Sequence, residues 1–148
     1  MRSGLLDANI LLYAANKDCR EYPIARAFLE KVRGTPGQWF LTEGICYEFL
    51  RVSTHHRVFP SPLRSVEALS FLKAVIETPS FSVLSAGPRH WETLYQIVKN
   101  LHAPSGNLFF DIRTAALMKE YGVPVIYTAD TDFLQFSTLE VINPITLS

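Results

Sequence analysis

The feature that most constrains this chain is the alternation of short apolar runs with longer segments of helical period. Gly4-Leu5-Leu6, Trp39–Thr42, Phe81–Leu84, Pro124–Thr128 and Glu140–Ile142 are too short for helices and are bounded by polar or turn-forming residues. They read as strands. Between them lie segments with the 3.6-residue period. Ile10 to Ala15 follows Asn9, a candidate cap. Ala25, Phe28, Leu29 and Val32 form a stripe that Gly34-Thr35-Pro36-Gly37 ends. Ile45, Phe49 and Val52 form another within Glu43 to Ser53, and Val66, Leu69, Phe71, Leu72 and Val75 a third after Pro60 and Pro62. Pro88 opens a helix ending around Leu101, and Gly122 closes one running from Leu108 to Tyr121. Alternation of this kind predicts an α/β fold of three layers, a central mostly parallel sheet with helices on both faces. No repeat, low-complexity tract or long linker interrupts it, so residues 1–148 read as one domain.

Composition narrows the class further. With 48% hydrophobic and 19% charged residues the chain can bury a core and is not disordered. Cys19 and Cys46 are isolated, which predicts no disulfide framework and a reducing compartment. Asp7 breaks the apolar run a signal peptide would need, and no apolar stretch is long enough to span a bilayer. A soluble cytoplasmic protein without a membrane role is the expectation. Fourteen basic residues balance fourteen acidic ones. A nucleic-acid binder of zero net charge needs a local basic patch or a bound cation to meet phosphates.

Candidate chemistry lies in the acids. Asp7 and Asp130 each follow an apolar strand, so both should emerge at the carboxyl edge of a parallel sheet, where ligands bind near the switch in strand order. Two carboxylates brought together there repel, and a hard divalent cation relieves that repulsion through oxygen ligands. A turn or helix cap is the plainer role for either alone. Asp111 shares a helix face with Leu108, Ala115 and Met118, while Arg113, Lys119 and Glu120 fall on the solvated side. A carboxylate on an apolar face needs a partner, a metal or a fixed donor, unless it only complements the helix dipole. Glu48 and Glu43 compete for a place at the site, and helical geometry leaves that choice open. Glu48 paired with Arg51 on a solvated face is the simpler reading. Asp132 either ligates through water or caps a short helix starting near Phe133.

Several common chemistries are absent. The histidines at 55, 56, 90 and 102 lack HxxxH or HExxH spacing, which removes a catalytic zinc site. Neither GxxxxGK[ST], GxGxxG nor GxSxG occurs. Arg51, His55, His56 and Arg57 form the one basic cluster, suited either to phosphates or to a solvated helix end. A phosphatase using Asp7 as a covalent nucleophile would want a second aspartate at position 9, where Asn9 stands.

Taken in order, Leu6-Asp7-Ala8-Asn9, Glu48-Phe49-Leu50, Gly106-Asn107-Leu108-Phe109-Phe110-Asp111-Ile112-Arg113-Thr114-Ala115-Ala116, Thr128-Ala129-Asp130-Thr131-Asp132-Phe133 and Asn143-Pro144 resemble the PIN-domain ribonucleases, specifically the VapC-like toxins of toxin–antitoxin pairs. The resemblance covers nearly the whole chain. It implies a PIN-like fold and an Mg²⁺- or Mn²⁺-dependent endoribonuclease that hydrolyses RNA with a metal-activated water. It assigns catalysis to Asp7, Glu48, Asp111 and Asp130, with Asp7, Asp111 and Asp130 as metal ligands, and selects Glu48 over Glu43. Asp132, Asn9 and Thr128 take secondary places, and Arg51, His55 and Arg57 are the candidate RNA contacts. A cognate antitoxin and a homodimer are the implied partners. A non-toxin PIN nuclease of RNA processing and a catalytically silent binding module on the same scaffold are the alternatives.

Overall fold

A computed structural model describes residues 1–146; the last two residues of the expected domain lie outside the described residues. Five strands, β1 (Leu5–Leu6), β2 (Trp39–Thr42), β3 (Phe81–Leu84), β4 (Val125–Tyr127) and β5 (Glu140–Ile142), alternate with six helices. These are α1 (Ala8–Ala15), α2 (Tyr22–Arg33), α3 (Glu43–Ser53), α4 (Ser65–Ile76), α5 (His90–Val98) and α6 (Leu108–Tyr121). The sheet runs in the order β3-β2-β1-β4-β5, and every pairing is parallel. Helices cover both faces, with α1 packed against α2 and α3, α3 against α4, and α5 against α6.

Burial explains why so short a strand holds the centre. Leu5 and Leu6 have no exposed surface, and Leu5 pairs with Phe40 on one side and Ile126 on the other. A strand buried on both faces of a parallel sheet is apolar at every position rather than alternating. Gly4, just before it, is required by close approach: a Cβ there would lie 2.6 Å from the Val125 carbonyl oxygen. The chain travels outward from β1 through β2 to β3, then returns to β4 on the other side of β1. The strand order therefore reverses between β1 and β4, and a crevice opens beyond their carboxyl ends.

Helix α6 follows the expected limits, closed by Gly122 at φ 69°, the left-handed conformation glycine adopts without strain. Three local expectations are corrected. The cap of α1 is Asp7, whose side chain accepts from the Ala8 N–H, and Asn9 lies inside the helix. Asp130, not Asp132, caps the short 3-10 turn Thr131–Gln135, accepting from the Asp132 N–H. In both cases the acid at the strand end accepts from a first-turn amide that has no partner within the helix. On α4, Val66 and Leu69 are exposed, and the buried stripe is Ala68, Leu72 and Val75. Both stripes have helical spacing, and the position of α4 against α3 decides which is covered.

Candidate metal centre

The carboxyl ends of β1 and β4 deliver Asp7 and Asp130, and α3 and α6 deliver Glu48 and Asp111. Asp7 is almost fully buried, and both its oxygens are engaged. Oδ1 accepts from the Ala8 N–H at 2.8 Å. Oδ2 accepts from the Thr128 hydroxyl at 2.8 Å and from the Asn9 amide at 3.2 Å. Asp7 is tied to β4 by its backbone as well, through its N–H and the Tyr127 carbonyl. The Thr128 hydroxyl is the hub: besides donating to Asp7, it accepts from Asn9 at 2.9 Å and from the Asp130 N–H at 3.0 Å. Asn9 completes the loop by accepting from the Ala129 N–H.

A second group stands beside this network. Oxygen atoms of Asp111, Asp130 and Asp132 lie within 4.8 Å of one another, near enough to share one ion. Asp111 and Asp130 are half-buried and Asp132 is exposed. Among the described residues Asp111 accepts no hydrogen bond, and its carboxyl is pushed up to about 7, first by burial and then by the negative charges of Asp130, Asp7, Asp132 and Glu48. Burial also raises Asp7, against the pull of its three donors, with Asp130 adding to the rise. Glu48 is raised by burial and by Asp7, and Arg51 opposes the shift. Four acids that perturb one another in this way occupy one electrostatic site.

A cavity of about 340 Å³ is lined by Asp7 from the first group and Asp111 from the second, together with Glu48. Of the two glutamates that helical geometry left in competition, Glu48 borders this cavity and Glu43 does not. Asp132, given a secondary place by the sequence, is grouped here with Asp111 and Asp130. Of the candidate RNA contacts only Arg51 reaches the cavity. His55 stacks on His56, and its Nδ1 accepts from the Arg57 N–H away from the wall. Arg113 is exposed, as its helix face predicts, and it also borders the cavity, as do Tyr47 and Phe110, neither of which the sequence marked as a site residue. Glu120, expected in solvent, instead holds the Gly87 N–H and lies 2.6 Å from His90 Nδ1. That pair fastens the start of α5 to the end of α6. The signal for it was slight: a histidine and a glutamate thirty residues apart.

The donor set fits a hard divalent cation. All candidate ligands are carboxylate oxygens, three are within bridging reach, and an Asp111 without hydrogen-bond donors among like charges lacks compensation from the protein itself. Asp7, with donors on both oxygens, is poorly suited to act as a covalent nucleophile, which weighs against the phosphatase reading. The PIN-domain family model matches residues 4–139. The chain belongs to the PIN-domain family. This PIN domain is 30% identical over 139 residues to ribonuclease VapC33 of Mycobacterium tuberculosis, an alignment spanning 94% of the chain and 96% of the relative. It is also 30% identical over 140 residues to ribonuclease VapC31 of the same organism, with 95% and 97% covered. Among solved structures, M. tuberculosis VapC20, described as a toxin cleaving the sarcin–ricin loop, shares its fold at a TM-score of 0.68 and 16% identity, covering 94% of the chain and 98% of VapC20. Rickettsia felis VapBC2, solved on a fragment of promoter DNA, matches equally at 0.68 and 16%, with 94% and 96% covered. No helix of this PIN domain is long and apolar enough to cross a membrane.

Proposed function

We propose that this PIN domain, acting through the whole chain as one unit, is a metal-dependent endoribonuclease and the toxin of a toxin–antitoxin pair. The observation that carries the reading is the meeting of Asp7, Glu48 and Asp111 on one cavity wall at the switch between β1 and β4, with Asp130 beside Asp111. The relatives named as VapC ribonucleases support it along nearly the full chain.

Asp111, Asp130 and Asp7 would hold the cation, with Asp132 at the outer edge of the same group. The all-oxygen set suits Mg²⁺ or Mn²⁺. When bound, such an ion offsets phosphate charge and makes a water molecule acidic enough to attack. The protein's own part is positional. The Thr128–Asn9–Asp7 network fixes the Asp7 oxygens before substrate arrives, so no reorganisation is needed during reaction. Glu48, raised above an ordinary glutamate, orders the attacking water and accepts a proton from it more readily than a normal carboxylate. No side-chain nucleophile is required; attack by water on phosphorus, with the 3′ oxygen leaving and taking up a proton, would give the 5′-phosphate and 3′-hydroxyl ends that the family resemblance implies.

A small antitoxin should block the crevice, presenting an Arg or Lys to the carboxylates. The active form should be a cytoplasmic homodimer. Sequencing RNA ends after induced expression, beside an Asp7→Asn control, tests the function directly. New 5′-phosphate ends that vanish in the control support it. Their absence from the unmodified chain would falsify it.

A further inference from the structure

The cavity wall contains more than acids. Tyr47 is 72% exposed and Phe110 is 70% exposed, although both line the same enclosure as Glu48 and Asp111. Each immediately precedes one of those acids in the chain, Tyr47 on α3 and Phe110 on α6, so two aromatic side chains from different helices flank the carboxylates. Neither has a ring partner among the described residues. Large aromatic surface left in water beside a charged site costs solvation free energy unless something covers it. Two guanidinium groups share the wall. Arg51 and Arg113 form no ion pair among the described residues, despite the acids around them. Arg113 is let in by Gly44: a Cβ there would stand 3.0 Å from its Nη1 atom.

An occupant must therefore offer flat apolar faces to the rings and negative charge to the arginines, within reach of the acids. A second protein helix would supply the first and only in part the second. Unpaired nucleotides supply both, with bases for the rings and phosphates for the arginines. A base inside a duplex has both faces covered by its neighbours and could not occupy the site. We propose that Tyr47 and Phe110 form a base-stacking platform, with Arg51 and Arg113 as its phosphate contacts, that seats the nucleotides beside the scissile bond. The proposal rests on the nuclease reading and adds four positioning residues to it.

The test uses the full chain and short single-stranded oligoribonucleotides, each either intact or carrying one abasic nucleotide next to the cut site. For the unmodified protein the abasic substitution should raise KM about tenfold, the scale of one base–aromatic stack. Tyr47→Ala and Phe110→Ala should lose that discrimination, whereas Tyr47→Phe and Phe110→Tyr should keep it. A binding readout independent of turnover uses 2-aminopurine at the same position and protein carrying Asp111→Asn. Stacking quenches its fluorescence, and the quench should disappear when either aromatic becomes alanine. Circular dichroism melts confirm that each variant is folded, and the phenylalanine and tyrosine variants hold the shape if an alanine variant is not. If the unmodified chain leaves RNA intact in both magnesium and manganese, the nuclease reading and the platform fall together. If it cuts, but the abasic substitution costs nothing or costs the alanine variants as much, the platform alone is overturned. Loss of a dimer on sedimentation of the alanine variants, with discrimination intact, would assign the aromatics to an interface between copies and also overturn it.

Discussion

Asp7 and Asp111 share one cavity and feel each other's charge, yet they are held in opposite ways. Asp7 is deeper, and its oxygens accept from the Ala8 N–H, the Thr128 hydroxyl and the Asn9 amide. Asp111 is half-buried, feels the charge of four other carboxylates, and accepts from no donor among the described residues. The first arrangement fixes a negative charge in place. The second leaves a charge uncompensated, so that proton or cation must supply what the protein does not. In the proposed centre Asp7 would set the position of the ion and Asp111 would make its binding favourable.

The harshest way to break the comparison is to remove either charge. Asp7→Asn and Asp111→Asn should each reduce RNA cleavage by more than about a hundredfold, beyond what the loss of a supporting residue costs. They should differ in stability. Asp111→Asn removes repulsion and should melt no lower than the parent in EDTA, whereas Asp7→Asn disturbs a satisfied network and should melt lower. Equal melting shifts in calorimetry would erase the distinction.

Next in size is the hub that supports only the first arrangement. Thr128→Val keeps shape and β-branching but strands Asn9, Asp7 and the Asp130 N–H. It should destabilise the fold by about 1–3 kcal/mol in urea titrations, the cost of unsatisfied buried groups. Divalent-ion affinity by titration calorimetry should fall roughly tenfold or more. An unchanged affinity would show that Asp7 needs no prior fixing.

A smaller effect sharpens the second arrangement through pH. Folded Asp111 keeps its proton up to about 7, while an unfolded aspartate loses it near 3.8. Between those values the folded state binds more protons, so its stability falls as pH rises through the window and levels off above it. The metal-free protein should therefore melt higher at pH 5 than at pH 8, and Asp111→Asn should flatten the dependence. Added Mg²⁺ should raise the melting temperature more at pH 8, because protons no longer compete for the ligands. A rise in metal-free stability between pH 5 and 8 would refute this account. The smallest change belongs to Asp132→Asn. Removing an exposed charge should alter cleavage by no more than about fivefold.

Much of this was legible in the chain. Trp39–Thr42, Phe81–Leu84 and Glu140–Ile142 emerge as strands with the limits read from the sequence, and α6 runs from Leu108 to Tyr121 and is closed by Gly122 as read. Period and turn chemistry are local properties, so sequence carries them. Of the four acids, Asp7 and Asp130 stood out by their place after strands and Asp111 by its apolar helix face, while Glu48 needed the family pattern. What one dimension could not decide was which side of a helix finds a neighbour. Val66 and Leu69 have the spacing of a core stripe and lie in water, while Glu120 lies on a polar face and is buried against His90.

Sequence by itself thus determined the order of elements, the apolar character of each strand and the acids at their ends, because backbone preference and hydrophobic period act over a few residues. Only the tertiary structure decided that Thr128 would join Asp7 to Asp130, that Glu48 and not Glu43 would turn to the cavity, and that Tyr47, Phe110 and Arg113 would share its wall. Those are contacts between segments far apart in the chain, and their geometry exists only once the sheet has set β1 beside β4 and the helices have settled on its faces.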